Sequence, residues 1–348
     1  GHSPQAAVEN TLARLKGAFA LCFLFEGEED LMIAARHGSP LAIGYGDGEM
    51  FVGSDAIALA PMTNRICYLE EGDYAVITRS GAEIFGSDGA LVNREIRVIR
   101  GDQNRIDKDG FTHFMEKEIY QQPSVLGAAL SHYIPDGSTI DLAGAEIDFS
   151  NVDRLILVAC GTAYFACLTA KYWFEQLARI PVEIDVASEF RYREPPVPPR
   201  TMALFVSQSG ETADTLAALR YCRDKADHIW SVTNVAESSI ARESDVSLPI
   251  HAGVEIGVAS TKAFTCQLTV LLMMALKAAE DRGELGADQR AELIGQIRNL
   301  PSLINLALDQ SDSFRQVAGA LAEARDILFL GRGIMYPLAH EGALKLKE

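Results

Sequence analysis

Hydrophobic and polar positions follow different patterns in the two parts of the chain. In the first hundred residues, a helix predicted at about 4–15 precedes short apolar runs at 18–25, 31–36, 41–45, 50–54 and 74–78. Turn-forming segments rich in glycine and acidic residues, such as 46–49 and 70–73, separate these runs. Short strands divided by turns of this kind predict a mostly antiparallel sheet.

The pattern changes after residue 150. Apolar runs at 155–159, 182–186, 202–206, 229–233 and 246–249 alternate with helical segments at 162–178 and 212–225. Strands without polar alternation are buried on both faces, as in a parallel sheet covered by helices. This part therefore predicts a doubly wound α/β domain. Long helices at about 260–282, 288–304 and 309–324 follow, and a strand and turn at 327–333 are predicted to begin a second α/β unit.

A charged, polar stretch at 100–110 divides the two patterns and is the predicted domain boundary. A helix is predicted after it at 111–133, with a break at Gln121, Gln122 and Pro123. We therefore expect a β-rich part at 1–100, a linker with a connecting helix at 101–150, a complete α/β domain at 151–308 and the start of another at 309–348.

Composition excludes several functional classes. The 348 residues include 31 Lys+Arg against 48 Asp+Glu, a net charge of −17 that would repel nucleic acid. The uncharged stretches at 155–170 and 263–276 are shorter than a membrane span requires. The six cysteines show no CxxC spacing and the seven histidines no ligand spacing, so neither a metal nor a Ser-His-Asp site is expected. We expect a cytoplasmic protein, with both ends of the chain cut.

The sharpest candidate site directly follows the predicted strand at 202–206 and precedes a helix. Where a parallel strand passes into a helix, free N–H groups and the helix dipole favour an anion. The segment lacks the lysine of a P-loop and the GxGxxG spacing of a dinucleotide fold, so the anion is expected on a small molecule. The alternative is a run of helix-capping residues. The segment comprises Ser207, Gln208, Ser209, Gly210, Glu211 and Thr212.

Three further features could contribute to the same site. The small and hydroxylated residues at 257–262 and at 160–162 stand at other predicted strand ends, although capping alone explains the first of them. Glu341, Lys345 and Glu348 are spaced i, i+4 and i+7, which places them on one helix face. Two carboxylates beside an ammonium could move protons between adjacent sugar carbons, whereas the alternative is a solvated salt-bridge ladder.

Five strings of residues resemble one enzyme family, the isomerising glutamine:fructose-6-phosphate aminotransferases. The resemblance implies the β-rich end of an N-terminal-nucleophile glutaminase domain, followed by one sugar isomerase (SIS) domain and the beginning of a second. It further implies that glutamine-derived ammonia converts fructose 6-phosphate to glucosamine 6-phosphate in a homodimer without metal or organic cofactor. The strings are HFMEKEIYQQP at 113–123, ASEFRYR at 187–193, LFVSQSGETADTLAALR at 204–220, EIGVASTKAFTCQLTVLL at 255–272 and FLGRGIMYPLAHEGALKLKE at 329–348.

The resemblance also implies a role for each candidate residue. Glu348 would move the proton between C1 and C2 of the sugar, assisted by Lys345 and Glu341. The phosphate would be held by four residues and the sugar pocket lined by three more: Ser207, Gln208, Ser209 and Thr212 for the phosphate, and Thr162, Val258 and Ser260 for the sugar.

Several features depart from the family pattern. Cys22 and Cys67 do not match the nucleophilic cysteine that the family carries at its mature N-terminus. The family's Schiff-base lysine and catalytic histidine fall beyond Glu348, and Ala163 stands where a hydroxyl is usual. We therefore expect an internal fragment that binds sugar phosphate without full turnover. The alternatives are a non-catalytic SIS regulator and a stand-alone phosphosugar isomerase or deaminase.

Overall fold

The computed structural model divides the chain into two compact units, Gly1–Asp107 and Lys108–Glu348. It describes residues 2–54, 56–59, 61–98, 108–142, 145 and 147–348. Most of the charged stretch predicted as the domain boundary lies outside the described residues. The elements of the first unit are α1 (Pro4–Leu12), β1 (Phe19–Leu24), β2 (Met32–His37), β3 (Ala42–Tyr45), β4 (Met50–Gly53), α2 (Ala56–Leu59), β5 (Arg65–Tyr68), β6 (Tyr74–Thr78), β7 (Gly81–Phe85), β8 (Leu91–Val92) and β9 (Ile96–Val98).

The first unit consists mainly of two antiparallel sheets. Their strand orders are β1-β2-β6-β7-β8 and β4-β3-β5-β9. Buried residues of both sheets, such as Ala34 and Ala75 on one and Ile43 and Cys67 on the other, form a single apolar cluster. The prediction of a β-rich first part is confirmed.

The second unit contains one parallel sheet with helices around it. Its elements are α3 (Phe114–Tyr133), β10 (Arg154–Ala159), α4 (Gly161–Trp173), which continues as a π-helical turn at Phe174–Ala178, β11 (Val182–Val186), α5 (Ala187–Arg193), β12 (Thr201–Ser207), α6 (Ala213–Cys222), β13 (His228–Thr233), α7 (Ser239–Glu243), β14 (Val246–Pro249), α8 (Lys262–Asp281), α9 (Ala287–Arg298), α10 (Leu300–Leu308), α11 (Ser311–Leu321) and α12 (Met335–Lys347).

The parallel sheet has the strand order β11-β10-β12-β13-β14. Its central strand β12 is buried along its whole length, and alternate side chains enter two separate apolar clusters, Leu204 one and Phe205 the other. Both faces of the sheet are therefore covered, and the predicted doubly wound α/β domain is confirmed. From β10, the next strand β11 is added on one side, whereas β12, β13 and β14 are added on the other side. The position between β10 and β12 is therefore a topological switch point, and ligands of such folds bind there, outside the carboxyl ends of the strands.

Helix α3 corrects the predicted break, because it continues through Pro123. Proline has no N–H to donate to the carbonyl four residues earlier, which is that of Ile119. The side-chain amide of Gln122 donates to that carbonyl instead, at 3.0 Å. The helix therefore tolerates the proline because the glutamine beside it replaces the missing hydrogen bond.

Two predictions in the last part of the chain were wrong. The single helix expected at 288–304 forms two, α9 and α10, with Pro301 in the first turn of the second, where proline is tolerated. The strand expected at 327–330 is not formed, and the side chains of Leu328 and Leu330 are 85% and 89% exposed. A strand requires a neighbour for its backbone hydrogen bonds, and no described strand pairs with this segment.

Helix α8 is the one described helix that is long and apolar enough to cross a membrane. However, 67% of its apolar window is buried within the protein. Its side chains, among them Met273, Met274 and Leu276, belong to the largest apolar cluster of the second unit. These contacts are those of a core helix.

Candidate functional site

The candidate residues gather at the carboxyl edge of the parallel sheet. Ser207 at the end of β12 pairs with Thr233 of β13, which in turn pairs with Pro249 of β14. Because the strands are parallel, the segments that leave them begin at the same edge. We refer to residues 207–212 as the β12 loop and to residues 250–261 as the β14 loop. Thr162, in the first turn of α4, follows the neighbouring strand β10 at this edge.

The β12 loop is held together by its own side chains. The Ser207 hydroxyl accepts a hydrogen bond from the Gly210 N–H at 3.0 Å, and it lies 3.0 Å from the Thr212 hydroxyl. The Ser209 hydroxyl accepts from the Glu211 N–H at 3.2 Å. Thr212 is the N-cap residue of α6, but its side chain makes no capping hydrogen bond. Capping therefore does not explain this hydroxyl, which forms part of a compact polar loop before the helix.

Helix α7 supports the β12 loop from behind. The Ile240 N–H donates to the Gly210 carbonyl at 3.0 Å, and the Ser239 N–H donates to the Glu211 carboxylate at 2.8 Å. Gly210 has a φ of +65°, and a side chain there would overlap Ser238. The loop can approach α7 this closely only because residue 210 is glycine.

The predicted helical carboxylates lie beside Thr162. The Thr162 hydroxyl donates to Glu341 Oε1 at 3.0 Å and accepts from the Lys345 ammonium at 3.0 Å. Lys345 also lies 3.4 Å from Glu341 Oε1 and 3.0 Å from Glu348 Oε2. Glu341 is only 6% exposed, so at this position the group is not a solvated salt-bridge ladder. Helix α12 thus brings Glu341 and Lys345 to the first turn of α4, and Glu348, directly after the helix, pairs with the same ammonium.

The environment of Glu341 suits a group that holds a proton. Burial raises the pKa of its carboxyl group, and the nearby Lys345 and the Thr162 hydroxyl oppose that shift. Its Oε2 atom is buried and has no hydrogen-bond partner among the described residues. A carboxyl group with a raised pKa and a free oxygen next to an ammonium can take up and release a proton.

The β14 loop contains the other two predicted sugar-site residues. The Ser260 hydroxyl donates to Glu255 Oε2 at 2.8 Å, while the Val258 side chain is 95% exposed. Glu255 Oε1 accepts the N–H groups of Thr261 and Ala263, at 2.9 Å and 3.1 Å. Glu255 therefore caps helix α8 from within the loop, a role that sequence reasoning missed. Its place just before a helical pattern was the available signal.

Asn234 joins the two loops and was also missed. Its N–H donates to the Gln208 carbonyl of the β12 loop at 3.1 Å. Its side-chain oxygen accepts from the Ala252 N–H at 3.0 Å, and its side-chain nitrogen donates to the Gly253 carbonyl at 2.6 Å. Asn234 directly follows β13, and a polar residue at a strand end was the only signal in the sequence. The two loops are thus connected through one side chain.

Other groups singled out in the sequence lack the chemistry that this site would need. Ala163 is buried beside Thr162 and offers no hydroxyl. Burial raises the pKa of the Cys67 thiol to about 11 and also raises that of Cys22, so neither has the lowered pKa of an activated nucleophile. Among the described residues, no group of three or more His, Cys, Asp or Glu side chains could hold a metal ion.

Comparison with known proteins places this site in a family context. Residues 148–277 match the SIS domain family. A protein of Brucella abortus named glutamine–fructose-6-phosphate aminotransferase (isomerizing) is 53% identical over 350 residues, which cover 100% of this chain and 58% of that protein. A protein of Zymomonas mobilis with the same name is 50% identical over 349 residues, again covering 58% of its length. The chain thus spans 58% of the length of these curated relatives.

A solved structure extends the similarity to the fold. The C-terminal domain of glucosamine-fructose-6-phosphate aminotransferase from Francisella tularensis is 41% identical and superposes with a TM-score of 0.68. The match covers 70% of this chain and 68% of that one. The agreement in fold and the identity together exceed what a shared α/β architecture alone would give.

Proposed function

The chain belongs to the family of isomerising glutamine–fructose-6-phosphate aminotransferases, and we propose that it supplies the fructose 6-phosphate site of such an enzyme. The observation that carries the proposal is that the β12 loop and the Thr162 turn follow two neighbouring strands at the switch point of the sheet. The proposed overall reaction is the glutamine-dependent formation of glucosamine 6-phosphate.

In this proposal the β12 loop binds the phosphate group. Four residues of the loop offer side-chain donors: the hydroxyls of Ser207, Ser209 and Thr212 and the amide of Gln208. The first N–H groups of α6 have no partner within the helix and can donate to the phosphate. The loop does not depend on a lysine, so the binding energy comes from neutral donors and the helix dipole. The sugar would then extend toward Thr162 on one side and toward Val258 and Ser260 of the β14 loop on the other.

In the same proposal the proton transfer is carried out by residues of α12 and by Glu348, which directly follows that helix. Glu348 acts as the base between C1 and C2, with its carboxylate held 3.0 Å from the Lys345 ammonium. Lys345 stabilises negative charge that develops on the sugar oxygens during the transfer. Glu341 orients Thr162 and Lys345 through the hydrogen bond and ion pair described above.

The proposal is tested by calorimetric titration of the 348-residue chain with fructose 6-phosphate, with fructose and inorganic phosphate as separate probes. We expect binding of the two phosphate compounds, and a loss of about tenfold in affinity for Ser209→Ala and for Thr212→Ala, as expected for one hydrogen bond to a charged group. Ser313→Ala, which changes an exposed serine of α11, is the matched control and should bind normally.

Two outcomes would contradict the proposal. Either the chain does not bind fructose 6-phosphate, or both substitutions in the β12 loop leave its affinity at the wild-type value. A full turnover with ammonia in place of glutamine would instead favour a stand-alone phosphosugar isomerase or deaminase.

The remaining parts of the proposal concern partners and location. We propose a cytoplasmic homodimer that receives ammonia released from glutamine. The location is supported by the cysteines, all of which are free thiols, as in a reducing compartment. The dimer is expected from the family resemblance, and sedimentation equilibrium measures it directly.

A further inference from the structure

Glu118 of helix α3 is a buried carboxylate that binds the backbone of the β14 loop. The residue is 2% exposed. Its Oε1 atom accepts the N–H groups of Ile256 and Gly257 at 2.6 Å and 3.1 Å, and its Oε2 atom lies 3.2 Å from the Gly257 nitrogen. Burying a carboxylate is costly unless hydrogen bonds compensate it, so this side chain fixes the position of the loop relative to the helix.

Gly257 makes this close approach possible. A Cβ atom at residue 257 would lie 2.5 Å from Glu118 Oε2 and 3.4 Å from the backbone of Met115. A side chain at this position would collide with the Glu118 carboxylate, so the loop and that carboxylate could not both keep their positions and the hydrogen bonds between them would be disturbed. The loop and the helix are therefore fitted to each other at a single glycine.

A buried lysine joins α3 to the start of α8, directly after the loop. Lys262 is 3% exposed, and its ammonium donates to Gln121 Oε1 at 2.8 Å. Burial lowers the pKa of this lysine, and the charges of Glu118 and Glu255 oppose that shift. The Lys262 ammonium thus lies near two carboxylates, that of Glu118, which binds the backbone at residue 256, and that of Glu255, which binds the backbone at residue 261.

The same loop is attached to the β12 loop at its beginning. Asn234 binds the backbone of Ala252 and Gly253 through its side chain and that of Gln208 through its N–H. Besides Glu255 within it, the β14 loop therefore has an anchor on each side, with Asn234 on the side of the β12 loop and Glu118 on the side of α3. Residues 256 and 257, which Glu118 holds, lead directly to the exposed Val258.

We propose that Glu118 is a positioning residue that sets the place of the β14 loop against the sugar portion of the ligand. This inference rests on the proposed function. Glu118 makes no hydrogen bond to the β12 loop in the described part of the chain, whereas that loop is closed by its own side chains. Glu118 therefore governs recognition of the sugar and leaves recognition of the phosphate group unchanged.

The experiment compares binding of fructose 6-phosphate and of inorganic phosphate to the 348-residue chain. For Glu118→Ala we expect affinity for fructose 6-phosphate to fall at least about tenfold, while affinity for inorganic phosphate stays within about twofold of wild type. Glu118→Gln retains an oxygen that can accept both N–H groups, so we expect it to restore most of the sugar-phosphate affinity. Phosphate binding also shows that each variant is folded.

Two further variants separate positioning from general destabilisation. Gly257→Ala should reproduce the selective loss, and combining it with Glu118→Ala should add little to either single change, because both displace the same loop. Asp245→Ala is the matched control, since it removes another carboxylate that accepts a backbone N–H, that of Ile229 at 2.7 Å, at the opposite edge of the sheet. It should leave the ratio of the two affinities unchanged.

The possible failures are distinguishable. Equal losses for both ligands in Glu118→Ala, or an unchanged affinity for fructose 6-phosphate, would overturn the positioning role while leaving the proposed function intact. Absence of fructose 6-phosphate binding by the unmodified chain would overturn the proposed function and this inference with it. Amide hydrogen exchange of Ile256 and Gly257 provides a check without ligand, since both N–H groups should exchange faster in Glu118→Ala.

Discussion

The β12 and β14 loops serve the same edge of the sheet but are stabilised in different ways. The side-chain hydrogen bonds within the β12 loop join residues at most five positions apart, such as Ser207 and Thr212, and its other described partners, Asn234 and α7, follow it in the same stretch of chain. The β14 loop is held by Glu118, which lies 138 positions before Ile256. The β12 loop thus depends on its own residues and on the segment that follows it in the chain, whereas the β14 loop, beyond the local hydrogen bonds of Glu255, also depends on the packing of the distant helix α3.

The strongest test of this comparison is Gly210→Ala. The substitution places a side chain at positive φ and against Ser238, and we expect a loss of about 3 kcal/mol from backbone strain and overpacking. Both tryptophans, Trp173 and Trp230, lie in the second unit, so urea unfolding followed by their fluorescence reports on that unit.

The control for this prediction is Gly283→Ala. Gly283 has a φ of +72° with open space around the position of a Cβ atom, so this variant carries the backbone strain alone. If the two variants lose equal stability, the tight contact between the β12 loop and α7 contributes nothing, and the loop is not as closely fitted as its geometry indicates.

A smaller effect is expected from Glu255→Ala, which removes the local anchor of the β14 loop. The N–H groups of Thr261 and Ala263 would lose their acceptor, at a cost of about 2 kcal/mol in unfolding free energy. Glu255→Gln keeps an acceptor oxygen and should lose less than half as much. Equal losses in the two variants would show that the charge, and not the hydrogen bonds, stabilises the loop.

The smallest expected effect is a pH dependence at Glu341, which is joined to Thr162 across 179 positions of sequence. Burial raises the pKa of Glu341, so the folded state holds the proton more tightly than the unfolded state does. The stabilisation from protonated Glu341 is therefore fully present below pH 4.5, the ordinary pKa of glutamate. It is lost as the pH rises through the raised pKa of Glu341 in the folded state. The stability of Glu341→Gln relative to wild type should consequently increase as the pH rises above 4.5.

Thr162→Val sharpens this last prediction. The Thr162 hydroxyl lowers the pKa of Glu341, so its removal should raise that pKa further and shift the loss of stability to higher pH. The measurement is urea unfolding of the three proteins at a series of pH values. Parallel stability curves for wild type and Glu341→Gln would mean that the buried carboxyl group has the same pKa in both states.

The sequence predicted those parts of the molecule that depend on neighbours along the chain. The strands of the parallel sheet show unbroken apolar runs because both of their faces are buried. Ser207, Ser209 and Thr212 stand together in the sequence, so the β12 loop could be found from its residues and its place before a helix. The spacing of Glu341, Lys345 and Glu348 likewise predicted that they share a helix face.

The rest could not be predicted because it depends on contacts distant in sequence. The pattern at 327–330 is that of a strand, but a strand also requires a partner, which the pattern does not supply. Pro123 indicated a break in α3, because the sequence does not show that the Gln122 side chain donates to the Ile119 carbonyl in the folded helix. Glu118 and Asn234 are ordinary polar residues in the sequence, and their roles follow from the backbone groups that the fold brings to them.

The absence of a Cβ atom at Gly257 limits how the β14 loop can be grafted onto another protein. Because the glycine and Glu118 fit each other across 139 positions, neither residue can be exchanged without regard to the other. A graft of the β14 loop onto another parallel-sheet scaffold would have to include α3, whereas the β12 loop could be moved together with its own strand, its helix and the turn formed by α7.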